Sequence, residues 1–364
     1  AVLPSAAGLD CGPEGTVTPP RDSHGMNLAL WLWMIRLLCI TDPLTHPPFD
    51  TTVDLYRLFP ADPRFQLFHL HVEHLGDGDS FPVTPVPRPL DYQEFRALGV
   101  AQEEPARFTD FDLALSRADR PFPPRYMETL ARHEDTVQFV GGRPSGLIEC
   151  GDRGFYRFIA SRFMPAGTVT RDVAEAADFV RTHRRVVAKR NRSYGGKGLA
   201  RIWEEEGRWW IELASGERRV HGQLEAVLEE LFASDPDPFE FVRYLDSVVA
   251  GDKRVLVVEG ELYGAFLRLA AGGGWINNQT SGGSVHPATI TPREEAIVRA
   301  TWQAYHDRGV ELLGYDFLVD DTGLPMLSEI NASSNIGGYG VVEQTTGVPV
   351  YPRLLDWIHG LVRR

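Results

Sequence analysis

The segment Gly314-Tyr-Asp316-Phe-Leu-Val-Asp-Asp-Thr-Gly323-Leu-Pro-Met-Leu-Ser-Glu329-Ile-Asn331 constrains the chain more than any other. Apolar residues alternate on either side of Asp-Asp-Thr-Gly, a turn sequence that tolerates positive φ, so the segment reads as a two-stranded hairpin. With the turn centred between Thr322 and Gly323, residue sums across the ladder stay constant and Asp316 stands directly opposite Glu329. Asn331, two residues on, shares their face. Two carboxylates and an amide oxygen form a hard, oxygen-only ligand set that suits Mg²⁺ shared with phosphate oxygens. Bare facing carboxylates would repel, which favours an ion. The competing reading is a solvated sheet face with both acids exposed.

At 364 residues the chain is too long for one ordinary core and implies two or three domains. A hydrophobic share of 43% and a charged share of 24% fit a soluble globular protein. The net charge of -13 argues against nucleic acid or an anionic membrane as main partner. Cys11, Cys39 and Cys150 are too few and too scattered for a disulfide framework, and read as free thiols in the cytoplasm. The one long apolar run, Leu28 to Ile40, is interrupted by Arg36 and falls short of the roughly 20 residues of a membrane helix. It starts inside the chain without a small-residue cleavage site, so it is no secretory signal either. Residues 1–25, rich in Gly, Pro, Ser and Thr, read as a disordered leader, with Met26 as the natural start.

From Arg36 the pattern is that of an α/β layer: a buried strand to Asp42, a short helix at Thr52 to Leu58, and strands at Phe65 to Val72 and Asp112 to Arg117. Alternation of strand and helix predicts parallel pairing. His69, His71 and His74 lack acidic or cysteine ligands at metal spacing and read as structural. Arg117-Ala-Asp119-Arg120-Pro-Phe-Pro-Pro-Arg125 leaves a strand end, where open α/β sheets bind ligands. Arg117 and Arg120 there either meet an anionic substrate, partly neutralised by Asp119, or are plain surface arginines.

Farther on, helices are predicted at Asp152 to Arg162 and Thr170 to His183. A strand, Val186 to Lys189, then leads through Arg190-Asn-Arg-Ser193-Tyr-Gly195-Gly196-Lys197-Gly198 into a second strand, Leu199 to Trp203. This loop fits neither a Walker A nor a dinucleotide motif, because strand rather than helix follows. It is either a flap whose backbone N–H groups cover phosphates beside Lys189 and Lys197, or a ligand-free hairpin turn. The hairpin Gly251 to Arg268 places Asp252, Arg254 and Arg268 on one side if its loop holds Glu259 to Glu261. A two-residue loop would send Arg268 to the other side. A polar loop, Asn277 to Gly283, precedes the capping box Thr291-Pro-Arg-Glu294, whose helix runs to Asp307 and stops at Gly309. A helix from Pro352 to Val362 closes the chain.

The order of these parts resembles the ATP-grasp superfamily, and within it prokaryotic glutathione synthetase. Gly251-Asp-Lys-Arg-Val-Leu-Val-Val-Glu-Gly-Glu261, Gly314-Tyr-Asp316 and Ser328-Glu-Ile-Asn331 are similar to that family's signatures, and Arg117-Ala-Asp-Arg-Pro-Phe122 to its Arg-Lys-Asp-Pro-Pro-Phe element. The resemblance implies an ATP-grasp α/β fold, two subdomains gripping ATP, behind a Rossmann-like domain. It divides the chain into residues 26–148, a flap subdomain at 149–235 and a C-terminal subdomain at 236–364. It implies ATP contacts from Lys189, Gly195, Gly196, Asp252 and the backbone of Val242, Arg243, Tyr244 and Leu245. Mg²⁺ or Mn²⁺ falls to Asp316, Glu329 and Asn331. Arg254 and Arg268 stabilise the transferring phosphoryl group, while Asn278, Ser333 and Ser334 face the acceptor and Arg117 the donor.

The implied reaction is an ATP-dependent carboxylate-amine ligation through an acyl phosphate, joining γ-glutamylcysteine or a similar peptide to glycine or another amino acid. It needs no protein nucleophile, consistent with the lack of a Ser-His-Asp or Cys-His signature. Its partners are ATP and small acidic peptides or amino acids, and a homo-oligomer is compatible with it. Three departures stand out. Gly154 occupies the place of a second ATP-binding lysine, leaving Arg153 beside it as substitute. Arg243 precedes the hinge tyrosine, where relatives often carry Asn or Glu. Asn331-Ala-Ser-Ser-Asn335-Ile-Gly-Gly338 replaces the usual Asn-Val-Thr-Ser-Pro-Thr. They keep two alternatives open: a ligase for another acid and amine pair, such as a glutamate ligase, and an ATP-binding protein without turnover.

Overall fold

The computed structural model describes residues 34–364 apart from 100–102, 192, 194–197, 278–282 and 363–364. The expected leader, Cys11, the flap residues Gly195, Gly196 and Lys197, and Asn278 therefore lie outside the described residues. Ile35–Arg364 forms one compact unit.

Among the described residues, this unit contains three sheets. The first contains β1 (Ile35–Thr41), β2 (Phe65–His71), β3 (Phe81–Val86), β4 (Glu104–Ala106), β5 (Leu113–Ser116) and β6 (Gln138–Phe139), in the order β4-β3-β2-β1-β5-β6. Its centre is parallel, as the strand-helix alternation requires: β1 pairs in parallel with β2 and β5, and β5 with β6. Alternate β1 side chains enter different cores. Leu37 and Cys39 meet Val53, Phe266 and Leu355 on one face, and Leu38 and Ile40 meet Phe68 and Leu130 on the other. Burial on both faces explains why β1 reads as a continuous apolar run. The antiparallel edge formed by β3 and β4 is absent from the sequence reading, because Pro82 and Pro85 argue against a strand there.

The second sheet holds β7 (Gly167–Thr170), β8 (Arg185–Arg190), β9 (Leu199–Glu205), β10 (Arg208–Leu213), β11 (Arg218–His221) and β12 (Phe239–Arg243), in the order β11-β10-β9-β8-β12-β7. Helices Val173–His183 and Leu224–Ala233 pack on it around Val186, Ile202 and Phe241. β12, expected beyond a boundary at residue 235, is hydrogen-bonded inside this sheet.

The third sheet is β13 (Asp252–Val258), β14 (Glu261–Leu269), β15 (Ser284–Ala288), β16 (Leu312–Val319) and β17 (Pro325–Ala332), in the order β15-β14-β13-β16-β17. The helix Pro292–Thr301 opens with the predicted capping box and buries Ile297 and Val298 against Val255, Val257 and Tyr315. A short second helix, Gln303–His306, follows before Gly309 turns the chain at φ +69. Among the described residues no helix is long and apolar enough to cross a membrane.

His69 lies buried in β2, its Nδ1 2.7 Å from the Tyr56 hydroxyl. Burial, together with His71 and His74, pushes its imidazole down to about 3. An unfolded chain protonates this residue near pH 6.5, a proton the folded chain refuses until far lower pH. Its contribution is thus complete above pH 6.5 and is lost as pH falls, by up to about 1.4 kcal/mol per unit. His69→Asn, which keeps a polar partner for Tyr56, is expected to flatten the change in urea midpoint between pH 7 and 5; an unchanged slope would contradict this.

Candidate active site

The β16–β17 ladder sets Asp316 directly opposite Glu329, with Asn331 paired to Gly314. The route to that register differs from a ladder of constant residue sums. Val319 pairs with Pro325, one position off, and a bulge at Ser328 restores the alignment beyond it. The bulge has a further consequence: Lys189 Nζ donates to the Ser328 carbonyl (3.1 Å) and lies 3.4 Å from its hydroxyl, so β8 and β17 meet across the cleft.

The β13–β14 hairpin repeats the device. Its loop is two residues, Glu259 and Gly260, both at positive φ, and not the three-residue loop that would align the arginines. A bulge at Tyr263 compensates, so Asp252 still pairs with Arg268 and the side chains converge. Arg268 donates to Asp252 through Nε (2.6 Å) and Nη2 (2.8 Å), and Nη2 lies 3.0 Å from Asp316 Oδ1. Arg254 grips the same Asp316 carboxylate with Nε and, at 2.8 Å, Nη2. Asn331 Nδ2 completes the group, 3.1 Å from Asp316 Oδ2. Burial, reinforced by Asp316, pushes the Asp252 carboxyl up to about 6 despite Arg268.

Arg153 reaches this centre from the helix Arg153–Ala160. Its Nη1 donates to Glu329 Oε2 (2.9 Å) and to the Tyr156 hydroxyl (2.8 Å), and its Nε to the Arg190 carbonyl (2.9 Å). Burial works against the Glu329 charge, yet Arg153 and Lys189 outweigh it and hold the carboxyl down at about 2. Beneath them lies Glu240, fully buried at 0% exposure. It accepts from Tyr156 (2.5 Å) and from Arg157 Nη2 (2.6 Å), and has Arg153 and Lys189 at 3.6 and 3.7 Å. Sequence reasoning passed over Glu240, Tyr156 and Arg157. A signal existed: in Phe239-Glu-Phe-Val, period-two alternation puts Glu240 opposite the face carrying Phe239 and Phe241, where an acid needs cations.

Two clefts adjoin at this cluster. One runs between the second and third sheets, walled by Val187, Leu199, Val242, Leu245 and Leu318, with Lys189, Asp252 and Arg268 at its polar end. The other is bordered by Ser116, Asp119, Arg120, Cys150 and Ser333 to Asn335. Arg153, Ser193, Arg254, Glu329 and Asn331 line both.

Of the residues singled out in the sequence, Lys189, Asp252, Arg254, Arg268, Asp316, Glu329, Asn331, Arg153 and the segment Val242 to Leu245 gather on the first cleft. The amides of Arg243 and Tyr244 are already bonded to the Ala166 and Arg185 carbonyls (2.9 and 3.0 Å). Ser333 and Ser334 line the second cleft, although the Ser334 hydroxyl is spent on the Ser116 carbonyl (2.7 Å). Arg117 requires correction. It is buried, donating to Thr52 Oγ1 and to the carbonyls of Ser334 and Ile336 at 3.0 to 3.1 Å, so it ties the first sheet to that loop and does not line either cleft. The cleft-facing arginine of that element is Arg120.

The model of the prokaryotic glutathione synthetase ATP-grasp domain matches residues 155–346. The glutathione synthetase of Prochlorococcus marinus (strain MIT 9313) is 30% identical over 251 residues, covering 68% of this chain and 74% of that one. That of Brucella melitensis biotype 1 is 28% identical over 276 residues, covering 75% and 81%. Among solved structures, D-alanyl-alanine synthetase A from Vibrio cholerae shares the fold with a TM-score of 0.59 at 11% identity, covering 91% of this chain and 99% of that one.

Proposed function

Since the chain belongs to the prokaryotic glutathione synthetase family of ATP-grasp proteins and is an ATP-dependent ligase of that type, we propose that it joins γ-glutamylcysteine, or a similar small acidic peptide, to glycine or another small amino acid. The observation that carries this reading is the wall common to the two clefts. A nucleotide in one and a carboxylate in the other would meet at Arg153, Arg254, Glu329 and Asn331.

The apolar walls around Val187, Leu199, Val242 and Leu245 would hold the base, and Lys189 would turn toward the phosphates. With two hinge amides committed, the base edge would be met by the remaining backbone groups near Tyr244 and Leu245. Asp316, Glu329 and Asn331 would hold Mg²⁺ or Mn²⁺. The fit rests on their chemistry: hard oxygen donors on one face, their charge balanced by Arg254, Arg268 and Arg153. Bound there, such an ion would supply charge neutralisation at phosphate oxygens. Arg153 offers the cation that Gly154 lacks, anchored by Glu329 and Tyr156 so that its fork keeps a set orientation. Arg254 would steady the negative charge that grows as phosphate moves to the substrate carboxylate. Positioning and charge neutralisation are then sufficient, with an amine attacking the acyl phosphate.

ADP release in the presence of γ-glutamylcysteine is expected to depend on glycine, and its independence of glycine would refute that acceptor. Mg-ATP at about 100 times its dissociation constant should stabilise the protein by about 2.7 kcal/mol. Chelation of the metal should remove the resulting shift in melting temperature, and the absence of any shift would remove the nucleotide step.

A further inference from the structure

The second cleft contains side chains that the nucleotide chemistry leaves unused. Resting on the ligase reading above, we propose that Asp119 and Arg120 read the zwitterionic head of an α-amino acid on the acid substrate, Asp119 taking the ammonium and Arg120 the α-carboxylate, with Asn335 as the positioning residue for Asp119.

Several observations support this assignment. Both charged residues line the cleft that reaches Glu329 and Arg254. The Asp119 side chain keeps 37% exposure while one oxygen, Oδ1, accepts from Asn335 Nδ2, which leans on the Ala118 carbonyl at 3.4 Å. The other oxygen, Oδ2, lies 3.9 Å from His46 Nδ1, a ring held closer to Asp50 at 3.3 Å. Burial, more than the neighbouring charges, pushes the Asp119 carboxyl upward, so a bound cation would relieve the desolvation of its charge. Arg120 lines the cleft with its guanidinium over the Phe122 ring at 4.7 Å, and Gly151 lines the cleft beside it. Arg117, the other cation at the start of this segment, is buried against Thr52 and two loop carbonyls and lines neither cleft. Asn335 and Arg120 stand where the resembled family carries proline, so neither side chain belongs to its motif.

The test uses the full chain, loaded with Mg²⁺ and a non-hydrolysable ATP analogue, and measures binding by calorimetry. The probes are γ-glutamylcysteine and glutarylcysteine, which differ only in the α-amino group. The wild type is expected to prefer the amino form at least tenfold. Asp119→Asn should bring the ratio close to one, and Asn335→Ala should reduce it severalfold, with analogue affinity unchanged in both. Arg120→Ala should weaken both probes equally. Equal binding of the two probes by the wild type, binding of neither, or an unaltered ratio in natively melting Asp119→Asn and Asn335→Ala would overturn the proposal. The ligase reading fails by a different result, the lack of ADP release with any acid and amine, which this binding ratio does not require.

Discussion

Alanine at position 240 is expected to cost about 3–5 kcal/mol of stability and to abolish tight nucleotide binding together. Glu240 has no exposure and is the shared counter-charge of Arg157, Arg153 and Lys189, with the Tyr156 hydroxyl donating to it. Those three cations hold its carboxyl below the usual range against the opposing effect of burial. Removing the carboxylate leaves like charges crowded in a space that excludes water, and the side chains must swing apart. Lys189 and Arg153 are the two that reach Ser328 and Glu329, so the displacement would be felt at the end of the cleft proposed above to hold the phosphates. Glu240→Gln retains shape and acceptor oxygen but not charge, and should fall between the two. Urea unfolding measures the first effect and calorimetry with Mg and an ATP analogue the second. An alanine variant as stable as wild type, or one that binds the analogue normally, would show that the cluster does not depend on its central acid.

The pairing of Asp316 with Glu329 was legible because alternation of apolar residues is strong on both sides of a good turn sequence. The bulges were not. An extra residue such as Ser328 or Tyr263 leaves no mark on a period-two pattern until the register of the loop is known. In each hairpin the one-position error at the turn and the bulge cancel, which keeps Asp252, Arg254, Arg268, Asp316 and Glu329 in one place. Arg117 was misplaced for another reason. An arginine at a strand end can face ligand or bind loop carbonyls, and the Ser334 to Ile336 loop that captures it lies more than two hundred residues away in the chain. Glu240 could have been found from its position among apolar neighbours, but its partners come from a distant helix and strand.

The two site arginines, alike in the sequence, are expected to behave differently when removed. Arg254 lines both clefts, whereas Arg268 lines only the one between the second and third sheets. Loss of Arg254 removes a charge from the point where phosphate would pass between substrates, an interaction strongest when that charge develops. Arg254→Ala should therefore lower kcat by about 10²–10³-fold, the scale on which a single oriented donor acts, with a small change in KM for Mg-ATP. Arg268 instead separates Asp252 from Asp316, pairing with the first at 2.6 and 2.8 Å and the second at 3.0 Å. Without it the two carboxylates repel, and Asp252, already pushed up to about 6, would bind a proton near neutrality. Arg268→Ala should accordingly raise KM for Mg-ATP and lower the melting temperature, with part of the stability recovered as pH falls and Asp252 is neutralised. Steady-state kinetics with saturating and limiting ATP separate the two patterns. If both variants lose kcat alone, or both lose ATP affinity alone, the division of labour drawn from the shared wall is wrong.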